Sequence, residues 1–217
     1  MRFETEEGPL EVHPSALIVA GWTARDADAV AHHIAELAEI GVPPPSETPL
    51  FYRAAASLLT RAERIEVVGR DTSGEAEPLL LRAEERLWLG LGSDHTDRTL
   101  ERVSVAKSKQ ACAKPLASVL WPFESVVDRL DALELSAEID EGRGWTLYQR
   151  GTLAAIRPLP DLLRAAPLAE DAAMLCGTLP ALGGVRPAAR FRMALHDRAA
   201  GRRIEAAYEV ASLPKVS

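Results

Sequence analysis

Glu75 and Glu77 stand two residues apart in a stretch, Glu75 to Leu81, that reads as extended chain. In a strand that spacing turns both side chains to one face. Paired carboxylates repel each other unless a cation lies between them. Oxygen-only ligands favour Mg²⁺, Mn²⁺ or Ca²⁺ over zinc. The alternative is a solvated strand face, the ordinary fate of charged residues. Asp94 adds a third acid in Gly90-Leu91-Gly92-Ser93-Asp94-His95-Thr96-Asp97-Arg98. Asp94, His95, Asp97 and Arg98 crowd more functional groups together than a turn requires. The Gly-x-Gly here is no dinucleotide fingerprint, because the third glycine and a following βαβ unit are missing.

His33 and Glu36 are three apart on an expected helix, close enough to meet. His33 shares the apolar stripe of Val30, Ile34 and Leu37, so it is expected to point inward. An inward histidine is either a satisfied core residue or, beside a carboxylate, a general base. His32 competes for the same glutamate but lies off the stripe. Lys107 and Lys109 flank Ser108, and a solvated surface is the usual place for either. Gly177-Thr178-Leu179-Pro180-Ala181-Leu182-Gly183-Gly184-Val185 is a tight glycine-rich loop.

The elements that must position these groups are short. Ala16 to Ala20 reads as a strand ended by Gly21, and Thr23 to Ile40 as a helix stopped by Gly41, with Asp26 at its start. A proline-rich loop follows, leading into Leu50-Phe51-Tyr52. Arg64 to Val68, Leu87 to Leu91, Leu133 to Ile139 and Trp145 to Gln149 read as strands. Pro122 to Ala132 and Leu159 to Ala165 read as short helices, and Ala189 to His196 with Arg203 to Val210 as a closing hairpin. Regular strand–helix alternation is absent, which points to an α+β, mostly β domain rather than a doubly wound sheet. Pro78 directly follows Glu77 and cannot donate to a ladder, so this strand is expected at an edge or distorted.

Composition narrows the function classes. The 217 residues suffice for one substantial core, and 47% hydrophobic with 26% charged residues is ordinary for a folded domain. A formal charge of −7 without a basic stripe speaks against nucleic acid. No apolar run is long enough to span a bilayer, and the acidic N-terminus lacks a signal-peptide core. Cys112 and Cys176 form neither a disulfide framework nor a zinc motif. A cytoplasmic protein with reduced thiols is expected.

Taken in order, the pieces resemble the fumarylacetoacetate hydrolase family. Its early-helix His-x-x-Glu is matched by His33-Ile34-Ala35-Glu36, and its Leu-Phe-x-Lys segment by Leu50-Phe51-Tyr52-Arg53. Its Glu-x-Glu is matched by Glu75-Ala76-Glu77, and its Asn-Asp-x-x-x-Arg segment by Ser93-Asp94-His95-Thr96-Asp97-Arg98. Lys107-Ser108, the stretch around Gln149, and Gly177 to Gly183 complete the series. Ser93 replaces an asparagine, Arg53 a lysine, and Glu101 stands where glutamine is frequent. The segments from Glu77 to Asp94 and from Asp94 to Lys107 are shortened.

The resemblance implies a mixed β-sandwich roll with peripheral helices, divided into a lead-in (1–25), a catalytic domain (26–212) and a tail (213–217). It implies that Glu75, Glu77 and Asp94 hold Mg²⁺ or Mn²⁺, which would chelate the carboxylate and 2-oxo oxygens of a short 2-oxo acid. It gives Lys107 a catalytic role, Arg98, Thr178, Arg53 and Gln149 contacts to substrate, and His33 with Glu36 the activation of water. The activity so implied is metal-dependent C–C hydrolysis of an acylpyruvate-like acid. Decarboxylation, dehydration of a 2-oxo-3-deoxy sugar acid, and metabolite binding without catalysis are the alternatives. A homodimer is the implied assembly.

Overall fold

The computed structural model describes residues 1–39 and 44–216; the side chains of residues 29, 33, 36, 37 and 39 are also outside the described set. The chain begins with a hairpin of β1 (Arg2–Thr5) and β2 (Gly8–Glu11), then runs through β3 (Ala16–Gly21), α1 (Ala27–Glu39) and β4 (Leu50–Ala54). Next come β5 (Arg64–Val68), β6 (Ala76–Ala83) and β7 (Arg86–Ser93). Two short helices follow, α2 (Arg98–Glu101) and α3 (Val105–Gln110). The remainder contains β8 (Glu134–Asp140), β9 (Trp145–Thr152), α4 (Leu159–Ala165), β10 (Ala172–Leu175), β11 (Arg190–Asp197) and β12 (Arg202–Leu213). The α+β, mostly β class expected from the sequence is the class observed. Pro122 to Ala132 forms two 3₁₀ segments, Phe123–Ser125 and Val127–Ala132, in place of one α-helix. The expected stop at Gly41 lies outside the described residues.

Two sheets carry the architecture. In the six-stranded sheet the order is Trp121–Pro122, β7, β6, β10, β3, β4; in the five-stranded sheet it is β9, β8, β11, β12, β5. The inner core lies between them, where Ile18, Leu80, Leu89 and Leu91 meet Leu135, Ile139, Phe191, Leu195 and Ile204. The opposite face of the six-stranded sheet is buried as well. There Leu17, Val19, Leu79, Leu81 and Leu175 pack with Phe3, Leu10 and Val12 of the N-terminal segment. A strand covered on both faces has no solvated side to mark with polar residues, so β6 reads as the near-continuous apolar run Pro78-Leu79-Leu80-Leu81.

The placement of β6 corrects the expectation raised by Pro78. The strand is interior, between β7 and β10. The Pro78 carbonyl accepts from the Cys176 N–H at 3.0 Å, just past the last residue of β10. A residue's N–H and C=O point to the same side of a strand, so the missing donor falls where the β10 ladder ends and costs little.

Candidate metal centre

Strand pairing gathers the three acids. In the β6–β7 hairpin Ala76 opposes Ser93 and Glu77 opposes Gly92, and one step further the Asp94 N–H donates to the Glu75 carbonyl at 3.0 Å. The period of two then puts Glu75, Glu77 and Asp94 on one face. Each offers a carboxylate oxygen within 4.8 Å of the other two. Gly92 is the neighbour of Glu77 on that face. A Cβ there would meet Leu116 and Leu175 at 2.7 Å, so glycine lets this packing close beside the acids.

The centre is buried and strongly charged. Asp94 is 0% and Glu77 2% exposed. Asp94 Oδ2 lies 2.5 Å from Lys109 Nζ and Oδ1 3.0 Å from Lys114 Nζ, yet neither oxygen receives a well-directed hydrogen bond. Lys109 Nζ also reaches Glu75 Oε2 at 3.4 Å, and Lys114 donates to the His95 carbonyl at 2.5 Å. Burial works against ionisation of Asp94, but the two ammonium groups outweigh it and hold its pKa below the usual range. Burial likewise opposes the charge on Glu75, and Arg98 with Lys109 overcomes it. Glu77 is the exception. Burial, with Asp94 and Glu75 beside it, pushes its carboxyl well above the usual range against the pull of Lys109 and the Gly177 N–H. Three clustered carboxylates, two oxygens without directed donors, and one acid that its neighbours drive toward the neutral form are a donor set suited to a hard divalent cation.

Behind Asp94 the support is neutral. His95 Nδ1 lies 2.9 Å from the Tyr208 hydroxyl and Nε2 2.9 Å from Thr72 Oγ1; Tyr208 in turn meets Ser93 Oγ at 2.8 Å. Burial, aided by the charges of Lys114 and Arg98, lowers the His95 pKa to about 3. His95 is therefore an uncharged spacer that orients the ligand turn.

The other expected site residues divide. Lys107 is exposed, whereas Lys109 is buried against the acids. Residues two apart on a helix point in different directions, so only one of them can face the centre, and α3 turns Lys109 inward. Arg98 commits two of its three guanidinium nitrogens to hydrogen bonds, and its buried Nη2 has no hydrogen-bond partner among the described residues. It gives Nε to Ser73 at 2.7 Å and Nη1 to Glu101 at 2.8 Å, with Nη2 3.2 Å from Glu75 Oε1. It lies against the candidate ligand Glu75. Arg53 is exposed and sits on the wrong face. Register links Tyr52 to Val19, Val19 to Leu175 and Leu175 to Leu79, so Tyr52 shares the face of Glu77 and its neighbour Arg53 does not. Gln149 is a staple: its Oε1 accepts from Ala76 N at 3.0 Å, and its Nε2 donates to Thr178 Oγ1 at 2.7 Å and to the Leu179 carbonyl at 2.6 Å. Both amide hydrogens have protein acceptors, which leaves none for a ligand. Thr178 Oγ1 donates to the Ala76 carbonyl at 2.8 Å, so this hydroxyl also serves to fix the loop. The side chains of His33 and Glu36 lie outside the described residues, on α1.

The glycine-rich loop meets the acids through Gly177, whose N–H donates to Glu77 Oε2 at 2.7 Å. Gly177 has φ +97°, and a Cβ there would fall 1.6 Å from Thr23 Oγ1. Only glycine fits both constraints. Sequence reasoning did not find Lys114 or Tyr208. A single lysine between the apolar runs Ala111-Cys112-Ala113 and Leu116-Ala117 was the available sign of the first. Tyr208 carries no local sign, because its role arises from packing against a turn 115 residues away at Ser93.

Over residues 20–208 the chain matches a family model described as "Protein of unknown function (DUF2848)". A comparison with curated proteins gives no match. Among solved structures, the chain is similar to Cg1458, with TM-score 0.63 and 14% identity over 93% of this chain and 78% of that one. For Cg1458 with inhibitor the TM-score is 0.67 at 16% identity over the same shares. It is also similar to 2-keto-3-deoxy-D-arabinonate dehydratase complexed with magnesium and 2,5-dioxopentanoate, with TM-score 0.62 and 15% identity over 93% of this chain and 74% of that one. At such identities the likeness establishes the fold, which is the fumarylacetoacetate hydrolase-like architecture anticipated from the motif order.

Proposed function

The chain belongs to the DUF2848 family, and from the geometry of its buried acids we propose that it is a divalent-cation-dependent enzyme of short 2-oxo acids that works by elimination, as a dehydratase does. The observation that carries this reading is the Glu75–Glu77–Asp94 cluster. It is supported by the shared fold with a dehydratase whose structure contains magnesium and a 2-oxo acid. Glu75, Glu77 and Asp94 would hold the cation, which would supply Lewis acidity toward a 2-oxo acid. Mg²⁺ and Mn²⁺ both suit three carboxylates.

The protein's own groups do the rest. Lys114, fully buried, and Lys109 fix Asp94 from two sides, and Arg98 fixes Glu75. The acids are therefore held close together before a cation arrives, which lowers the cost of binding. Lys109 lies 2.5 Å from Asp94 and 3.4 Å from Glu75 and is assigned the supply of positive charge beside the 2-oxo oxygen of the substrate. Burial works against its ammonium form, but Asp94, Glu75 and Glu101 outweigh that and raise its pKa, so it stays a fixed positive charge and not a base. Elimination needs no activated water. C–C hydrolysis does, and the sequence His33-Ile34-Ala35-Glu36 is the feature that favours that second reading. The assembly is proposed to be a homodimer, which sedimentation at micromolar concentration tests.

The deciding experiment is metal analysis of the purified protein followed by a screen of 2-oxo-3-deoxy sugar acids and acylpyruvates, repeated with Glu77→Ala and His33→Ala. Glu77→Ala is expected to abolish metal binding and turnover together. Under elimination, His33→Ala retains most activity. Under hydrolysis it loses about two to four orders of magnitude in kcat. Failure of the native protein to bind Mg²⁺ or Mn²⁺ removes the whole reading.

A further inference from the structure

Glu101 contributes no ligand atom to the acid cluster, yet its charge belongs to the site. It ends α2, whose start is capped by the Asp97 carboxylate accepting from Leu100 N at 2.9 Å. Its Oε2 accepts from Arg98 Nη1 at 2.8 Å, and the far side of the same guanidinium faces Glu75. Both side chains of this pair are largely enclosed, 12% exposed for Arg98 and 17% for Glu101. It thus sits at the edge of the centre, joined through Arg98 to the candidate ligand Glu75.

The contacts tie together Glu75, Glu77, Asp94 and Glu101 on one side and Arg98, Lys109 and Lys114 on the other. With Glu77 ionised, as a metal ligand must be, four formal negative charges face three positive ones. A divalent cation turns the resulting single negative charge into a single positive one. One substrate carboxylate neutralises that, and a second leaves an uncompensated charge in a poorly solvated place. Resting on the function proposed above, we infer that Glu101 is a specificity-determining residue: it sets the charge of the loaded site so that 2-oxo acids with one carboxylate bind and those with two are disfavoured.

The test is calorimetric titration of the Mn²⁺-loaded protein with 2-oxopentanoate and with 2-oxoglutarate, five-carbon acids that differ in a terminal carboxylate. Native protein is expected to prefer 2-oxopentanoate by about tenfold or more, a gap that a single charge a few ångströms away can produce. Glu101→Gln, which keeps the shape and removes the charge, should narrow that ratio about tenfold while Mn²⁺ affinity changes only a few-fold. Glu101→Asp should keep the native order. A native protein that prefers 2-oxoglutarate overturns the inference whatever the variants do. So does an unchanged ratio in Glu101→Gln that still binds Mn²⁺. Absence of Mn²⁺ binding by native protein, seen from the free Mn²⁺ resonance signal, instead overturns the metal reading and this inference with it. Should Glu101→Gln not fold, the native ratio and Glu101→Asp decide.

Discussion

Opposite charges meet on both sheets, at similar distances and with different consequences. On the exposed face of the five-stranded sheet Arg192 pairs with Glu138 at 2.6 Å, Arg198 with Glu134 at 2.6 Å and Arg203 with Glu205 at 2.7 Å. At the end of the six-stranded sheet Asp94 meets Lys109 at 2.5 Å and Lys114 at 3.0 Å. Distance does not separate the two groups; burial does. The Arg198 and Glu134 side chains are 62% and 36% exposed, whereas those of Lys114 and Asp94 are both at 0%. Water screens the first pair and offers both partners an alternative. The second has no alternative, so each member depends on the other. The outer pairs thus stay hydrated, and the buried network holds Asp94 between two lysines.

The comparison breaks most visibly at Lys114. Lys114→Met removes one of two cations holding Asp94 and leaves a buried carboxylate short of a partner. A loss of about 3–5 kcal/mol is expected, the usual consequence of deleting one member of a buried pair. Urea unfolding of metal-free protein measures it. A loss below about 1 kcal/mol would place this pair with the surface ones.

Acid gives the next effect. The His95 pKa, about 3 in the fold, lies below that of the unfolded chain near 6.5. The unfolded chain therefore binds the proton first as pH falls. The contribution of neutral His95 is full above about pH 6.5 and declines as pH drops toward 3. Replacing His95 with glutamine, which cannot titrate, should flatten the melting temperature between those limits relative to native protein. Equal slopes for both proteins would show that the His95 network does not stay neutral behind the turn.

The smallest effect belongs to the outer face. Arg198→Gln should change stability by less than about 1 kcal/mol, less still at high salt. A loss above about 2 kcal/mol would mean that another surface covers this face in solution. The comparison would then be sharpened, since the pair would be buried in the assembly.

Local signals carried much of this molecule. Alternation marked β8 and β9, apolar runs marked β3 and β7, and Asp26 was recognised at the start of α1, where its Oδ1 accepts from Asp28 N at 2.9 Å. The spacing of Glu75 and Glu77 implied a shared face because strand periodicity is a property of neighbouring residues. The same logic failed for β10, where Ala172-Ala173-Met174-Leu175 is too short an apolar run to announce a strand. That strand lies between β3 and β6, joining the halves of the six-stranded sheet, and only its partners reveal it.

What the sequence by itself determined is therefore the class of fold and the chemistry available at the acid cluster. What tertiary structure alone decided is the company those acids keep. The motif order names Lys107, and the docking of α3 puts Lys109 against the acids. Gln149, Arg98 and Arg53 were equal candidates for substrate, yet the first staples a loop, the second holds Glu75 and the third points elsewhere. Tyr208 reaches the ligand turn from the far end of the chain. Backbone periodicity is written in near neighbours, whereas burial and charge pairing depend on contacts between distant segments, and those exist only once the sheets have closed on each other.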